Sequence, residues 1–277
     1  MLSYKHGYHA GNQVDVLKHI CLIQAYKSLK KHHNSISYID THAGSGDYYF
    51  KSDYMSKNKE YENGISKLEN YKYENQSIKY YLKVLRNINN SKKMTFYPGS
   101  PSIMSYLSDN YDKLSFYELH KNEFQLLRKY LSKQINSKFF NKDGFEFTLQ
   151  KIKSKDKTLV LIDPSYEIKD DFDKVVSTLK ILDENYENIT AVIWYPVLNI
   201  ENNDLFIESI RKLGSNRITR IELPLKKYNE DIGMKGSGII LFNGNNFLIN
   251  NMKDCVKELY QIFKDENCNI KPKIQRI

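Results

Sequence analysis

The stretch Leu159-Val-Leu-Ile-Asp-Pro-Ser-Tyr166 runs four apolar residues into an acid, a proline and an aromatic. Pro164 cannot donate to a strand ladder and fixes its own φ, so a strand over 159–162 stops there and Asp163 is aimed past its carboxyl end. A carboxylate so placed can orient and polarise a substrate group, and the Tyr166 ring can stack on one. The same residues also describe a strand, a turn, a solvated Asp and a surface Tyr. What decides between the readings is whether other strand ends carry matching groups.

Several do. Ile36-Ser-Tyr-Ile39 reads as a strand running straight into Asp40-Thr-His-Ala-Gly44-Ser-Gly46. An acid followed by two glycines lets the backbone turn tightly and approach a ligand closely. The loop lacks a full GxGxxG, and no GKS or GKT follows, which excludes a P-loop. Phe116-Tyr-Glu118 ends another strand with an acid suited to accept hydrogen bonds from a ribose diol. Its distance from Asp40 exceeds the roughly 20 residues usual in dinucleotide folds, and an inserted segment accounts for the excess. Lys142-Asp143-Gly144-Phe145 is a turn-like step after Phe139-Phe140. Each of these alone also fits an ordinary turn or a solvated charge.

The amino terminus holds His6 and His9, then Lys18 and His19 beside a helical apolar stripe of Val14, Leu17, Cys21, Ala25 and Leu29. No Cys or carboxylate cluster completes a metal site with the histidines, so no metal is expected. On periodicity alone Lys18 and His19 read as the solvated edge of the helix. Cys21, Cys255 and Cys268 are odd in number and widely spaced, with no CxxC pair, which points to reduced thiols and a cytoplasmic setting.

The elements that position these groups alternate. A helix over 12–31 has Asn12 as its cap and Asp15 at the capping-box position. Residues 47–93 are rich in Lys, Asn, Tyr and Glu and contain no proline; Ile78, Tyr81, Leu82, Leu85 and Ile88 make an amphipathic helix there, so the segment reads as a small helical insertion. Strands follow at 94–97, 114–119, 159–162, 191–195, 218–223 and 238–242. Helices fall at 121–133, 172–182, 201–213 and 247–265, with one capped by Ser100 and opened by Pro101. Alternation of this kind predicts an α/β domain with a mostly parallel sheet, and the last two strands, with no helix between them, predict an antiparallel edge.

The chain has 277 residues, 40% hydrophobic and 27% charged, enough to bury a substantial core. It has no apolar run near the roughly 20 residues that span a bilayer, and MLSYKHGYHAGN has no apolar secretory core. Lys and Arg number 42 against 33 Asp and Glu, a net charge of +9, with 22 Tyr. Such a surface attracts polyanions, although a general preference for Lys, Asn, Ile and Tyr would give the same composition.

Taken in order, the motifs resemble a known family. Asp163-Pro-Ser-Tyr166 resembles the D/N-P-P-Y/F/W motif of adenine-N6 methyltransferases, and Asp40–Gly46 resembles their S-adenosylmethionine loop. Leu2-Ser-Tyr-Lys-His-Gly-Tyr-His-Ala-Gly-Asn12 with Asp15-Val-Leu-Lys-His19 is more specific, and resembles the opening of the bacterial 23S ribosomal RNA adenine-N6 methyltransferase family. Tyr97-Pro-Gly-Ser-Pro101, Glu118-Leu-His120, Asp143-Gly144, Trp194-Tyr-Pro196 and Gly236-Ser-Gly238 match in the same order. The resemblance is weakest over 47–93 and beyond 245.

It implies a Rossmann-like class I methyltransferase fold, formed as one domain over 1–277. It also implies S-adenosyl-L-methionine as cofactor and N6-methylation of adenine 2030 in 23S rRNA. By motif match, His19, His42, Ser100, Glu118, Asp143, Gly144 and Asp163 contact or border the cofactor, with Asp40 and Gly44 in its loop. Asp163 is the catalytic acid, aided by the Pro164 carbonyl, Tyr166 and Lys18; Tyr4, His6 and Lys18 meet the RNA. The partner implied is rRNA free of protein or early in assembly, and the enzyme a monomer. The usual second proline is Ser165 here, which frees one φ and adds a backbone donor. Two alternatives share these features: a DNA adenine-N6 methyltransferase, and a non-catalytic RNA-binding protein.

Overall fold

A computed structural model describes residues 6–91, 93–146, 152, 156–168, 170–198, 200–227 and 233–277. The first helix, α1 (Gln13–Lys30), begins where Asn12 turns its side-chain oxygen onto the Val14 and Asp15 amides. It is buried on nearly every side, Val14–Tyr26 without a break, because it lies between the sheet and later helices. The one-sided stripe read from the sequence therefore understates it. Lys18 and His19, expected at a solvated edge, are 2% and 1% exposed.

Strand β1 (Ser37–Asp40) follows, then a short hairpin of β2 (Asp47–Tyr49) with β3 (Phe96–Pro98). Between the hairpin strands lie α2 (Asp53–Asn58), a 3-10 turn (Glu60–Glu62), α3 (Ile65–Asn70) and α4 (Gln76–Asn89). Helix α4 buries Ile78, Tyr81, Leu82 and Leu85 and packs on α1. Helix α5 (Ser100–Leu107) is capped by Gly99 rather than Ser100, with no side-chain cap bond. The Ser100 hydroxyl is turned instead to Asp40.

The remaining elements are β4 (Lys113–Tyr117), α6 (Lys121–Leu131), β5 (Ser137–Phe140), β6 (Thr158–Ile162), α7 (Asp170–Asn185), β7 (Ile189–Val197), α8 (Ile200–Arg211), β8 (Ile218–Pro224), β9 (Gly236–Phe242), α9 (Asn246–Phe263) and β10 (Lys273–Arg276). Among the described residues the main sheet has eight strands in the order β10-β8-β9-β7-β6-β1-β4-β5. Strands β5, β4, β1, β6 and β7 run parallel, and β9 is antiparallel to both β7 and β8. This is a Rossmann-like α/β fold with core clusters on both faces of the sheet.

The expected antiparallel pairing of the 218–223 and 238–242 strands is present as β8 with β9, and the closing helix as α9. Strand β9 enters the sheet between β7 and β8, and the edge itself is β10, antiparallel to β8, a short strand beyond the closing helix that the sequence reading did not include. Chain order leaves β1 on one side toward β4 and β5, then returns on the other to β6 and β7. That reversal creates a crevice at the carboxyl ends of β1, β4 and β6, where open α/β sheets bind ligands. The register brings Asp40 level with Phe116 of β4 and Leu161 of β6, so the groups just beyond these strands share one opening.

Candidate active site

That opening is a cavity of about 370 Å3. Its wall brings together His6, Lys18, His19, His42, Gly44, Ser100, Glu118, Asp143, Gly144, Asp163 and Pro164, which the sequence draws from seven separate stretches. Thr41, Tyr48, Glu123, Phe145 and Lys174 complete parts of it.

The floor is set by glycines. Gly44 has φ +61°, and a Cβ there would lie 2.2 Å from the Tyr48 hydroxyl. A Cβ at Gly144 would lie 2.1 Å from the Thr41 carbonyl oxygen, so the loop after β5 rests directly on the backbone that leaves β1. Asp143 accepts the Phe145 amide hydrogen at 2.8 Å, which fixes that turn. Phe145 then meets the His42 ring edge-on at 5.0 Å.

Glu118 bridges two loops, accepting the Gly44 amide at 2.8 Å and the His120 amide at 2.6 Å. Burial pushes its carboxyl up to about 7, against the two amide donors. Burial also lifts Asp40 to about 6, although Ser100 and Tyr38 donate to it, the Tyr38 hydroxyl at 2.9 Å. Asp40 stands behind the wall and does not line the cavity. Burial lowers His19 to about 3 and His42 to about 4, leaving both imidazoles neutral. His19 Nδ1 meets the Tyr97 hydroxyl at 2.6 Å, and Tyr97 in turn meets Tyr81 of α4 at 3.0 Å.

The far side of the cavity is ionic. The Lys18 ammonium donates to Asp163 Oδ2 at 2.5 Å and stands 2.7 Å from Asp15 Oδ1. Its side chain is 3% exposed and that of Asp163 12%. Burial alone would lower the Lys18 pKa, but the two carboxylates outweigh it and hold the ammonium charged. Asp15 also takes the Gly11 amide at 2.8 Å and His6 Nε2 at 3.0 Å. Burial opposes its charge, yet His6 and Lys18 keep its carboxyl well below the ordinary range.

One expectation is amended by the structure. Tyr166 is absent from the wall: it has φ +54°, and its hydroxyl donates to the Trp194 carbonyl at 2.6 Å. Its ring packs on Phe172 at 4.5 Å and edge-on to Trp194 at 5.6 Å, so the face assigned to stacking is used internally. Tyr4 lies outside the described residues. Asp15 and Tyr48 were not singled out for the site. The signal for Asp15 was its i,i+3 spacing from Lys18, with Val14, Val16 and Leu17 around the pair, a pattern that fits a buried ion pair. Among the described residues no group of three or more His, Cys, Asp or Glu could hold a metal, and no helix is long and apolar enough to cross a membrane. The three cysteines are free and buried.

Comparison with known proteins places these features in context. The family model described as Ribosomal RNA large subunit methyltransferase D, RlmJ, matches residues 33–271. A protein of Haemophilus influenzae named Ribosomal RNA large subunit methyltransferase J is 35% identical over 248 residues, covering 88% of this chain and 87% of its own. Its Escherichia coli namesake is 34% identical over 247 residues, covering the same shares. A crystal structure of a Legionella pneumophila protein superposes with a TM-score of 0.86 at 28% identity, over 97% of this chain and 98% of its own.

Proposed function

The chain belongs to the RlmJ family of ribosomal RNA large subunit methyltransferases, and on that premise we propose that its cavity binds S-adenosyl-L-methionine and presents an adenine N6 of 23S rRNA to Asp163. The observation that carries the reading is the Asp163 carboxylate, held by Lys18 at the rim of a cavity whose other wall is Glu118, Gly44 and Gly144. A volume of about 370 Å3 falls within the roughly 300–1,000 Å3 of small-molecule sites. The donor set also fits: Glu118 suits a ribose diol, and the bare backbone at Gly44 and Gly144 suits close approach by a flat ligand. His42, Ser100, Asp143 and neutral His19 complete that cradle.

S-adenosylmethionine, when bound, supplies an electrophilic methyl group and a neutral leaving group. The chain supplies the rest. Adenine's exocyclic amine is a poor nucleophile because its lone pair is delocalised into the ring. The Asp163 carboxylate and the Pro164 carbonyl accept the two amine hydrogens and favour the pyramidal form, returning the lone pair to nitrogen. Alignment of this kind contributes roughly 7–11 kcal/mol, whereas a positioned proton acceptor gives about 10²–10⁴-fold. Asp163 therefore acts mainly by orienting the amine and then takes the released proton. The target base must leave its stack, at a cost of a few kcal/mol; we assign His6, Lys18 and the chain's net charge of +9 to contact with the RNA.

The finer reading is a cytoplasmic monomer acting at adenine 2030 on protein-free or early-assembly 23S rRNA, with residues 47–93 inserted in a single domain. Incubation with labelled cofactor and unmodified rRNA, followed by nucleoside mass spectrometry and position mapping, should yield N6-methyladenine at one site. Absence of that product, or equal activity in Asp163→Ala, refutes the reading; preferential methylation of duplex DNA assigns a different substrate.

A further inference from the structure

We propose that Asp15 is a positioning residue for methyl transfer: through Lys18 it sets the orientation of the Asp163 carboxylate. The inference rests on the reading of Asp163 as the group that receives the target amine.

Asp15 sits in the first turn of α1, 1% exposed, on a helix buried without a break from Val14 to Tyr26. A charge in such a place is tolerated only when it is paired and hydrogen-bonded. All of its partners belong to the active-site end of the molecule. Oδ2 receives the Gly11 amide and His6 Nε2, at 2.8 and 3.0 Å, and Oδ1 faces the Lys18 ammonium at 2.7 Å. The α1 amino terminus adds its own favourable field for an anion.

Lys18 links the two carboxylates. An ammonium on a four-carbon stem is a point charge with no preferred planar fork, so its place depends on what pulls it. Here two carboxylates pull from different directions, Asp15 within α1 and Asp163 after β6. The balance leaves Lys18 on Oδ2 of Asp163, at 2.5 Å, and the other oxygen for the amine. Without the Asp15 charge, Lys18 is drawn to Asp163 alone. It then covers the carboxylate, competes with the incoming amine and neutralises the acceptor. With Asp15 in place, the three charged groups sum to one negative charge, which remains available to the reacting amine.

The Asn substitution at 15 keeps shape and one acceptor oxygen while removing the charge, and Lys18 still has Asp163 as counterion, so no buried charge is orphaned. Asp15→Asn is expected to lower kcat about 10–100-fold, as small misplacements at a reacting centre do. The cofactor Kd, read by calorimetry, should stay within about twofold. Asp15 acts through Lys18, so in a Lys18→Met background Asp15→Asn should have little further effect on kcat. A merely structural role would give additive losses. A kcat equal to wild type in Asp15→Asn, or a double variant well below Lys18→Met, overturns the proposal. If Asp15→Asn alone does not fold, the comparison of the double variant with Lys18→Met decides by the same criterion. Failure of the wild-type protein to methylate adenine at all would instead refute the assignment of the reaction, a separate and earlier readout.

Discussion

Glu118 and Gly44 are joined across neighbouring strand ends: the carboxylate after β4 accepts the amide hydrogen of the glycine turn after β1, at 2.8 Å. The bond spends one carboxylate oxygen on shaping the loop. His120 takes the other at 2.6 Å, so the group that would receive a ribose diol is fixed before any ligand arrives. This prearrangement lowers the ordering cost of binding.

Its charge, however, is suppressed. Burial lifts the Glu118 carboxyl to about 7, and a diol donates better to a carboxylate than to a carboxylic acid. S-adenosylmethionine affinity should therefore rise as pH rises through about 7, with a proton released on binding, and Glu118→Gln should flatten that dependence. Titration calorimetry in buffers of different ionisation enthalpy reads both effects.

The same shift fixes a stability trend. A carboxyl whose folded pKa is raised holds its proton in the native state where the unfolded chain has lost it, between the ordinary value of 4.5 and about 7. Across that window the unfolded state binds fewer protons, so stability falls as pH rises. Glu118→Gln should consequently raise Tm more at about pH 8 than at about pH 5, by differential scanning calorimetry without ligand.

The amino-terminal turn has its own clamp. Glu60, from the 3-10 turn after α2, accepts from Asn12 Nδ2 at 2.9 Å and pairs with His9 Nδ1 at 2.8 Å. The hydrogen bond His9 donates to Glu60, against burial, raises the His9 pKa; burial opposes the Glu60 charge, but His9 and Asn12 lower the carboxyl. The histidine's contribution is present below its unfolded 6.5 and lost as pH rises through the raised folded value. The glutamate's is present above 4.5 and lost as pH falls through its lowered one. The stability gap between wild type and Glu60→Gln should thus be widest between those limits and shrink above them. The variant should also lose kcat, because His6 is carried on the same turn.

Tyr166 offers a prediction that separates packing from recognition. Its hydroxyl holds the Trp194 carbonyl at 2.6 Å and its ring lies between Phe172 and Trp194. Tyr166→Phe should cost about 0.5–1.5 kcal/mol of stability by the lost bond and leave the RNA KM unchanged. A large rise in KM with unchanged Tm would show the ring turning outward to the base.

How much of this was legible follows from what each residue contacts. Runs such as Leu159–Ile162 announce strands because both faces are buried, and the acids just past them are marked by the turns themselves. Strand β10, Lys-Ile-Gln-Arg, carries no such pattern: it is half exposed and exists by pairing with β8. Strand β2 has three residues and is held by β3. In the site, Glu118, Asp143 and Asp163 could be placed by order along the chain. Asp15 carried only its spacing from Lys18 as a signal, since its contacts arise where α1 packs against the sheet, and the inward turn of the Tyr166 ring could not be read because its left-handed φ leaves no mark in the sequence.

The sharpest steric test lies at Gly144. Its backbone rests on Thr41, and an added Cβ would meet the Thr41 carbonyl oxygen at 2.1 Å, its Cα at 2.6 Å and its carbonyl carbon at 2.7 Å. All three are backbone atoms in the segment leaving β1, which Leu161 holds by accepting the Thr41 amide hydrogen at 3.1 Å. No rotamer change can make room, so one loop must move. Overpacking of this kind costs about 1–3 kcal/mol, and Gly144→Ala should lower Tm accordingly. The displaced loop carries Asp143 and the segment below carries His42, so S-adenosylmethionine affinity should fall with it. Gly214→Ala, where a Cβ meets nothing within 4 Å but φ is +68°, is the control: strain alone should lower Tm there and leave cofactor affinity intact.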